Sequence, residues 1–148
     1  MSKTISVTFE TTIHVRDHCM CLTVQRAARS LARMFDEALR PHELTNGQFS
    51  LLMSLNRPEP PNLSSVASLL AMDRTTLTAA LKPMERRGLI TTMVDPSDKR
   101  SRLLTLTDKG LHLLAAVMPI WVSTHGELEQ VLTPGEQGRL LNDLRKLL

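Results

Sequence analysis

Residues 63–107 read LSSVASLLAMDRTTLTAALKPMERRGLITTMVDPSDKRSRLLTLT: two short helical runs across a tight turn, then two β-prone runs around a charged loop. Ala67 and Ala71 are small residues of the kind needed where two helices cross closely, and Leu77 is placed to plug the core those helices share. Asp73 suits the N-cap of the second helix, because its carboxylate can accept otherwise unpaired backbone N–H groups. Arg74, Thr75, Thr76 and Thr78 then crowd the first turns, the part of a recognition helix that meets base edges, and Lys82 follows one turn on. Ser64, at the head of the leading helix, joins them as a contact candidate. Arg86 and Arg87 put positive charge in the last turn, and Gly88 supplies the residue that ends it. Residues 89–94 and 102–106 are β-prone, and DPSDKRS between them reads as a turn-forming loop. The expected fold is mainly α with a small β-hairpin wing, a winged helix-turn-helix.

Charge sharpens this. The whole chain of 148 residues carries a formal +3. Residues 74–102 alone hold seven basic groups (Arg74, Lys82, Arg86, Arg87, Lys99, Arg100, Arg102) against three acids (Glu85, Asp95, Asp98), a net +4. Basic charge concentrated in one segment suits a polyanion, whose phosphates attract Lys and Arg whatever the base sequence.

The run DPSDKRSRLLTLTDKG, following ERRGLI, resembles the signature of the MarR family of winged-helix transcription regulators, in which an Asp-rich, Arg-bearing wing leads into a strand ending L-T-x-x-G. The resemblance extends over residues 16–148. It implies that residues 74–82 read the major groove of double-stranded DNA, that Asp98 holds the wing arginines, and that Arg100 enters the minor groove with Lys99 and Arg102 beside it. Pro83 departs from an uninterrupted recognition helix: lacking an N–H and crowding the carbonyl of Ala79, it predicts a kink.

Outside this stretch, residues 1–15 are β-prone with no evident partner or cap and predict a frayed or partner-clasping arm. A helix is expected from residue 17 to residue 40, with Cys21, Val24, Ala28, Leu31, Phe35 and Leu39 on one face, ended by Pro41. Thr45 and Gln48 fit a capping box for a second helix. Residues 57–61 form a proline-rich connector. Thr107 is expected to cap a long helix through Leu132, interrupted or bent at Pro119. Thr133-Pro134-Gly135-Glu136 predicts the start of a last helix, with Thr133 as its N-cap. That helix carries Leu140, Leu141, Leu144, Leu147 and Leu148, more apolar surface than a small core can absorb. By resemblance, residues 16–44 and 108–148 build a two-fold homodimer around a DNA-binding domain at 45–107; the alternative is a monomer with its last helix folded back on the long one. Two recognition helices about one DNA turn apart would match a palindromic operator.

No Gly-rich phosphate loop, nucleophile elbow or His-Glu-x-x-His run occurs, so an enzyme is not expected, nor a cofactor. No apolar run reaches the ~20 residues of a membrane span, and the first residues lack a signal-peptide pattern; the expectation is a cytoplasmic protein with no membrane partner. The chain has no tyrosine, one tryptophan and three phenylalanines, too few aromatic platforms for single-strand stacking.

Cys19 and Cys21 fall in the first turns of the first long helix, where the helix dipole favours thiolate. Among MarR-type regulators, the OhrR-like organic-hydroperoxide sensors carry a reactive cysteine where Cys21 stands, but with tyrosine hydroxyls around it; here Phe35 and Asn46 occupy those places. Three readings stay open: Cys21 as a small buried hydrophobe, as a redox sensor, or, with His14, His18 and Cys19, as a metal ligand. If the cysteines are structural, the resemblance implies a small aromatic or phenolic effector between the first helix, the long helix and the winged domain, with Arg29, Arg33, Met34 and His112 as candidate lining. The functional expectation is a DNA-binding repressor released by an effector; the alternative is a winged-helix module that binds an acidic protein.

Overall fold

The structure, a computed structural model, describes residues 6–148. Its elements are α1 (Phe9–His18), α2 (Met20–Leu39), a 3-10 turn (Arg40–His42), α3 (Asn46–Leu55), α4 (Leu63–Leu69), α5 (Arg74–Arg86), β1 (Ile90–Asp95), β2 (Asp98–Leu106), α6 (Asp108–Glu129) and α7 (Glu136–Arg145). The chain divides into two compact units between Met34 and Phe35, inside α2. Among the described residues no helix is long and apolar enough to cross a membrane.

In the first unit, the expected arm is a helix over most of its described length. The Thr8 hydroxyl accepts the Thr11 N–H at 3.3 Å and caps α1. β-branched residues cost a helix only about 0.5 kcal/mol each, so one satisfied cap offsets more than one of them. Residues 1–5 of that arm lie outside the described residues. The single helix expected from residue 17 is instead two helices broken at Cys19, which is extended (φ −77°, ψ 106°). Its sulfur then accepts the Leu22 N–H at 3.4 Å, so a thiol starts α2 where an oxygen is usual.

In the second unit the core is Leu39, Leu52, Val66, Leu77, Met84, Leu89, Leu104 and Val117, all fully buried and drawn from the end of α2 through α6. Thr45 and Gln48 form the expected capping box of α3, the Thr45 hydroxyl accepting from Gln48 N–H and the Gln48 side chain from Thr45 N–H. Asp36 adds a second brace that sequence reading missed, accepting the Asn46 backbone N–H at 2.7 Å and its side-chain amide at 2.8 Å. Those two bonds, the backbone one first, hold the Asp36 carboxyl below the usual carboxylate range.

The helix-turn-helix is α4 and α5. Ala67 is buried at the crossing, as expected, and Leu77 is fully buried. Ala71 is not at the crossing: it is exposed in the turn with φ +52°, a left-handed position that ends α4. α5 continues through Pro83 to Arg86. It stops at Gly88 (φ +71°), where the Gly88 and Leu89 N–H groups return to the Glu85 and Met84 carbonyls at 2.9 and 3.0 Å.

The wing pairs Ile90 with Leu106 through Val94 with Arg102, and a register shift between Val94 and Asp95 brings Asp95 opposite Asp98. Its second strand therefore begins at Asp98 rather than at residue 102, and the seven-residue loop read from sequence shrinks to Pro96 and Ser97. Asn62 adds a single bridge to Leu103.

The start of α6 closes onto the end of α5. The Thr107 hydroxyl accepts the Gly110 N–H at 3.1 Å, as a cap should, and donates to the Gly88 carbonyl at 2.6 Å. Thr107 N–H donates to the Leu89 carbonyl at 3.0 Å and Lys109 Nζ to the Arg87 carbonyl at 2.6 Å. Gly110 permits this approach: a Cβ there would stand 2.3 Å from the Leu89 oxygen. α6 runs on through Pro119, and α7 begins later than expected. Its N-cap is Gly135 (φ +85°), not Thr133, although the Glu136 carboxylate does reach back to the Thr133 N–H at 2.8 Å.

Candidate nucleic-acid interface

Asp73 caps α5 as expected, accepting the Thr76 N–H and the Thr76 hydroxyl, each at 2.7 Å. These bonds, the backbone one first, draw the Asp73 carboxyl below its usual range. The capping separates the candidate contacts into two groups. Thr76 is committed to the cap, and the Thr78 hydroxyl donates back to the Arg74 carbonyl at 2.8 Å. Arg74, Thr75 and Lys82 are exposed, and their side chains make no hydrogen bond or ion pair among the described residues, nor does exposed Ser64 on α4. Arg87, counted with the basic face, belongs to the fold instead. It is half-buried and its guanidinium donates to the Glu43 carbonyl at 2.6 Å and the His42 carbonyl at 3.4 Å.

The wing tip is set by two carboxylates. Asp95 accepts the Ser97 hydroxyl at 2.7 Å and the Ser97 N–H at 2.9 Å, and these bonds hold its carboxyl below the usual range. Asp98, expected to hold the wing arginines in place, accepts the Arg100 backbone N–H at 3.0 Å. An exposed ion pair stabilises little, whereas a short turn leaves an N–H that needs an acceptor. Arg102 folds back on the Lys99 and Ser101 carbonyls at 3.5 and 3.4 Å, leaving Lys99 and Arg100 as the open cations of the tip. The Glu85 carboxylate accepts from the Thr92 hydroxyl, tying α5 to the wing.

The candidate sensing residues fall in both compact units. Cys21 is exposed in the single chain and accepts the Gln25 side-chain amide at 3.3 Å. His14 and His18 stack on each other at 4.2 Å, and no three His, Cys, Asp or Glu side chains among the described residues converge as metal ligands. Arg29 and Arg33 do stand together, lining a polar groove on α2 with Arg26 and Ser30. Met34 is half-buried outside that groove, and exposed His112 bonds through Nδ1 to the Asp108 carbonyl at 2.7 Å.

A second concavity escaped sequence reading. Phe49, Met53, Leu69, Leu70, Met118 and Trp121, with Ser50 and Ser54, line a groove of about 360 Å³ between α3, the end of α4 and α6. No charged side chain lines it. Phe49 and Trp121 lie nearly parallel, 20° apart with centroids at 6.5 Å. The lone tryptophan was the available signal, but only the packing of α6 against α3 pairs it with Phe49.

Comparison with known proteins agrees with this geometry. The profile of the MarR family matches residues 44–101, the helix-turn-helix and the wing up to Ser101. The chain is 33% identical over 130 residues to the transcriptional regulator HosA of Escherichia coli O111:H-, covering 83% of this chain and 95% of that one. Among solved structures it is similar to the M. tuberculosis transcriptional regulator MosR in complex with DNA: TM-score 0.80, 36% identity, 88% of this chain and 93% of that one. It is equally close in fold to the transcriptional repressor CouR bound to a 23-mer DNA duplex: TM-score 0.80, 28% identity, 97% and 99% covered.

Proposed function

The chain belongs to the MarR family of winged-helix transcriptional regulators, which are not enzymes, and on that footing we propose that it is a homodimeric repressor that holds a palindromic operator until an effector releases it. The observation that carries this reading is the division of labour around α5: Asp73 and Thr76 build the cap, which leaves Arg74, Thr75 and Lys82 open to a major groove and Lys99 and Arg100 open at the wing tip. The relatives MosR and CouR bound to DNA support it. Residues 45–107 supply the reading head. Residues 16–44 and 108–148 supply the dimer, whose motive is the apolar surface left open on α2 and α7, from Val24 and Leu31 to Leu140 and Leu141.

For the effector, the groove between Phe49 and Trp121 is favoured over the arginines of α2. It is concave, apolar and within the volume range of small-molecule sites. Its lining offers hydroxyls but no cation, which selects an uncharged planar aromatic over a phenolate or carboxylate. A second reading, thiol oxidation at Cys21, is favoured by the exposure of that sulfur.

Fluorescence anisotropy on a duplex selected from a random pool tests the function. Binding of two chains per duplex, with affinity falling log-linearly and steeply in salt, is expected. A shallow salt slope without site preference would point instead to an acidic protein partner. Release by an organic hydroperoxide that Cys21→Ser abolishes would move the effector from the groove to the thiol.

A further inference from the structure

Trp121 does not stand alone in the wall of its groove. Its ring is stacked on His125, one turn along α6, with centroids 4.7 Å apart and planes 24° apart, so Trp121 stacks with both Phe49 and His125. Both nitrogens of His125 are engaged. Nδ1 lies 3.2 Å from Glu129 Oε1 on the same helix, and Nε2 lies 3.3 Å from Gln137 Nε2 in the first turn of α7. A carboxylate accepts and an amide nitrogen donates, so a ring with its proton on Nδ1 and Nε2 free satisfies both bonds. Among the described residues the Gln137–His125 bond is the one hydrogen bond joining α6 to α7, and α7 buries none of its residues. The imidazole that backs the groove's aromatic wall is thus also the directional tie that seats the last helix.

We propose that His125 is a positioning residue that couples the Phe49–Trp121 groove to α7, so that filling the groove and seating α7 are one linked equilibrium. The inference rests on the effector reading of the groove given above. A ligand packed on Trp121 holds the stacked imidazole in line with the Gln137 amide. The Gln137 bond is directional and weakens steeply with tilt, whereas an aliphatic residue in that place would transmit nothing directional. Linkage makes the effect reciprocal: loosening α7 from its end must weaken binding in the groove by the same factor. α7 carries open leucines, so the coupling reaches the surface assigned above to the dimer.

Trp121 is the only tryptophan, so its emission reports this stack directly. The full chain is titrated with N-phenyl-1-naphthylamine, an uncharged aromatic probe, and binding is read as emission sensitised by Trp121. Gln137→Leu, remote from the probe, is expected to weaken binding about fivefold and to shift the Trp121 emission while far-ultraviolet circular dichroism is unchanged. His125→Phe keeps the stack and loses the tie. If the tie is the route, adding Gln137→Leu to His125→Phe weakens binding no further. Wild-type affinity and unshifted emission in Gln137→Leu, or full additivity of the two changes, overturns the proposal. If the wild type itself does not bind the probe, the groove reading falls; the emission of Gln137→Leu then still decides the tie, a shift upholding it and no shift overturning it.

Discussion

α5 and α7 are amphipathic helices of 13 and 10 residues with opposite fates. α5 buries Leu77, Leu81 and Met84 in its own chain and turns arginine, threonine and lysine outward. α7 also carries an apolar stripe, yet Leu140 and Leu141 are 46% and 40% exposed and none of its residues is buried. The same kind of pattern is a finished surface in one case and an open one in the other. A hydrophobic stripe says that a face will be covered; only the positions of the other helices say whether this chain covers it.

Four measurements break or sharpen the contrast, starting with the largest effect. Leu77→Ala should cost about 2–5 kcal/mol of unfolding free energy in urea, because it empties a site with no exposure; loss under about 1 kcal/mol would mean that the core is not centred on the helix crossing. Leu140→Glu should leave the far-ultraviolet spectrum intact but weaken self-association by about 2 kcal/mol or more, the range of a central interface anchor, seen as a shift toward monomer in sedimentation. An unchanged sedimentation profile would place the dimer elsewhere. Arg100→Ala should weaken binding to every duplex and lower the log–log salt slope by about one, and an unaltered slope would remove the wing tip from the interface. The smallest effect belongs to the cap of α5. The Asp73 carboxyl titrates below its usual range when folded, so its contribution is complete above the unfolded value of about 3.9 and is lost as pH falls through the lower, folded value. Asp73→Asn should therefore flatten the acid limb of the stability profile and leave the region above about pH 5 parallel to wild type.

What the sequence made legible was what neighbours in the chain decide. Asp73, Thr45, Thr107 and Gly88 were readable because a cap involves residues three or four apart. Leu77 was readable from helix spacing. The departures came wherever a distant partner decided. Ala71 went to the turn because Leu77 and Ala67 already fill the crossing. Arg87 left the basic face because the carbonyls of His42 and Glu43 reach it across more than forty residues. The second strand began early because a register shift pairs Asp95 with Asp98, a pairing that local turn propensity does not announce. Sequence named arginines on α2 as candidate effector lining and did not reveal the concavity between Phe49 and Trp121, residues brought together only by tertiary packing. α1 was missed for the reverse reason: one local cap at Thr8 outweighed weak β preferences.

The joint at Gly110 has a practical meaning for anyone who would retarget this protein. Three carbonyls at the end of the recognition helix are held by the first residues of α6, and no side chain fits between them. Specificity therefore cannot be transplanted as a bare helix. The transferable module is the block of residues 73–110, cut before its cap and after its glycine, and a graft that stops at the wing severs the clamp that aims the helix it carries.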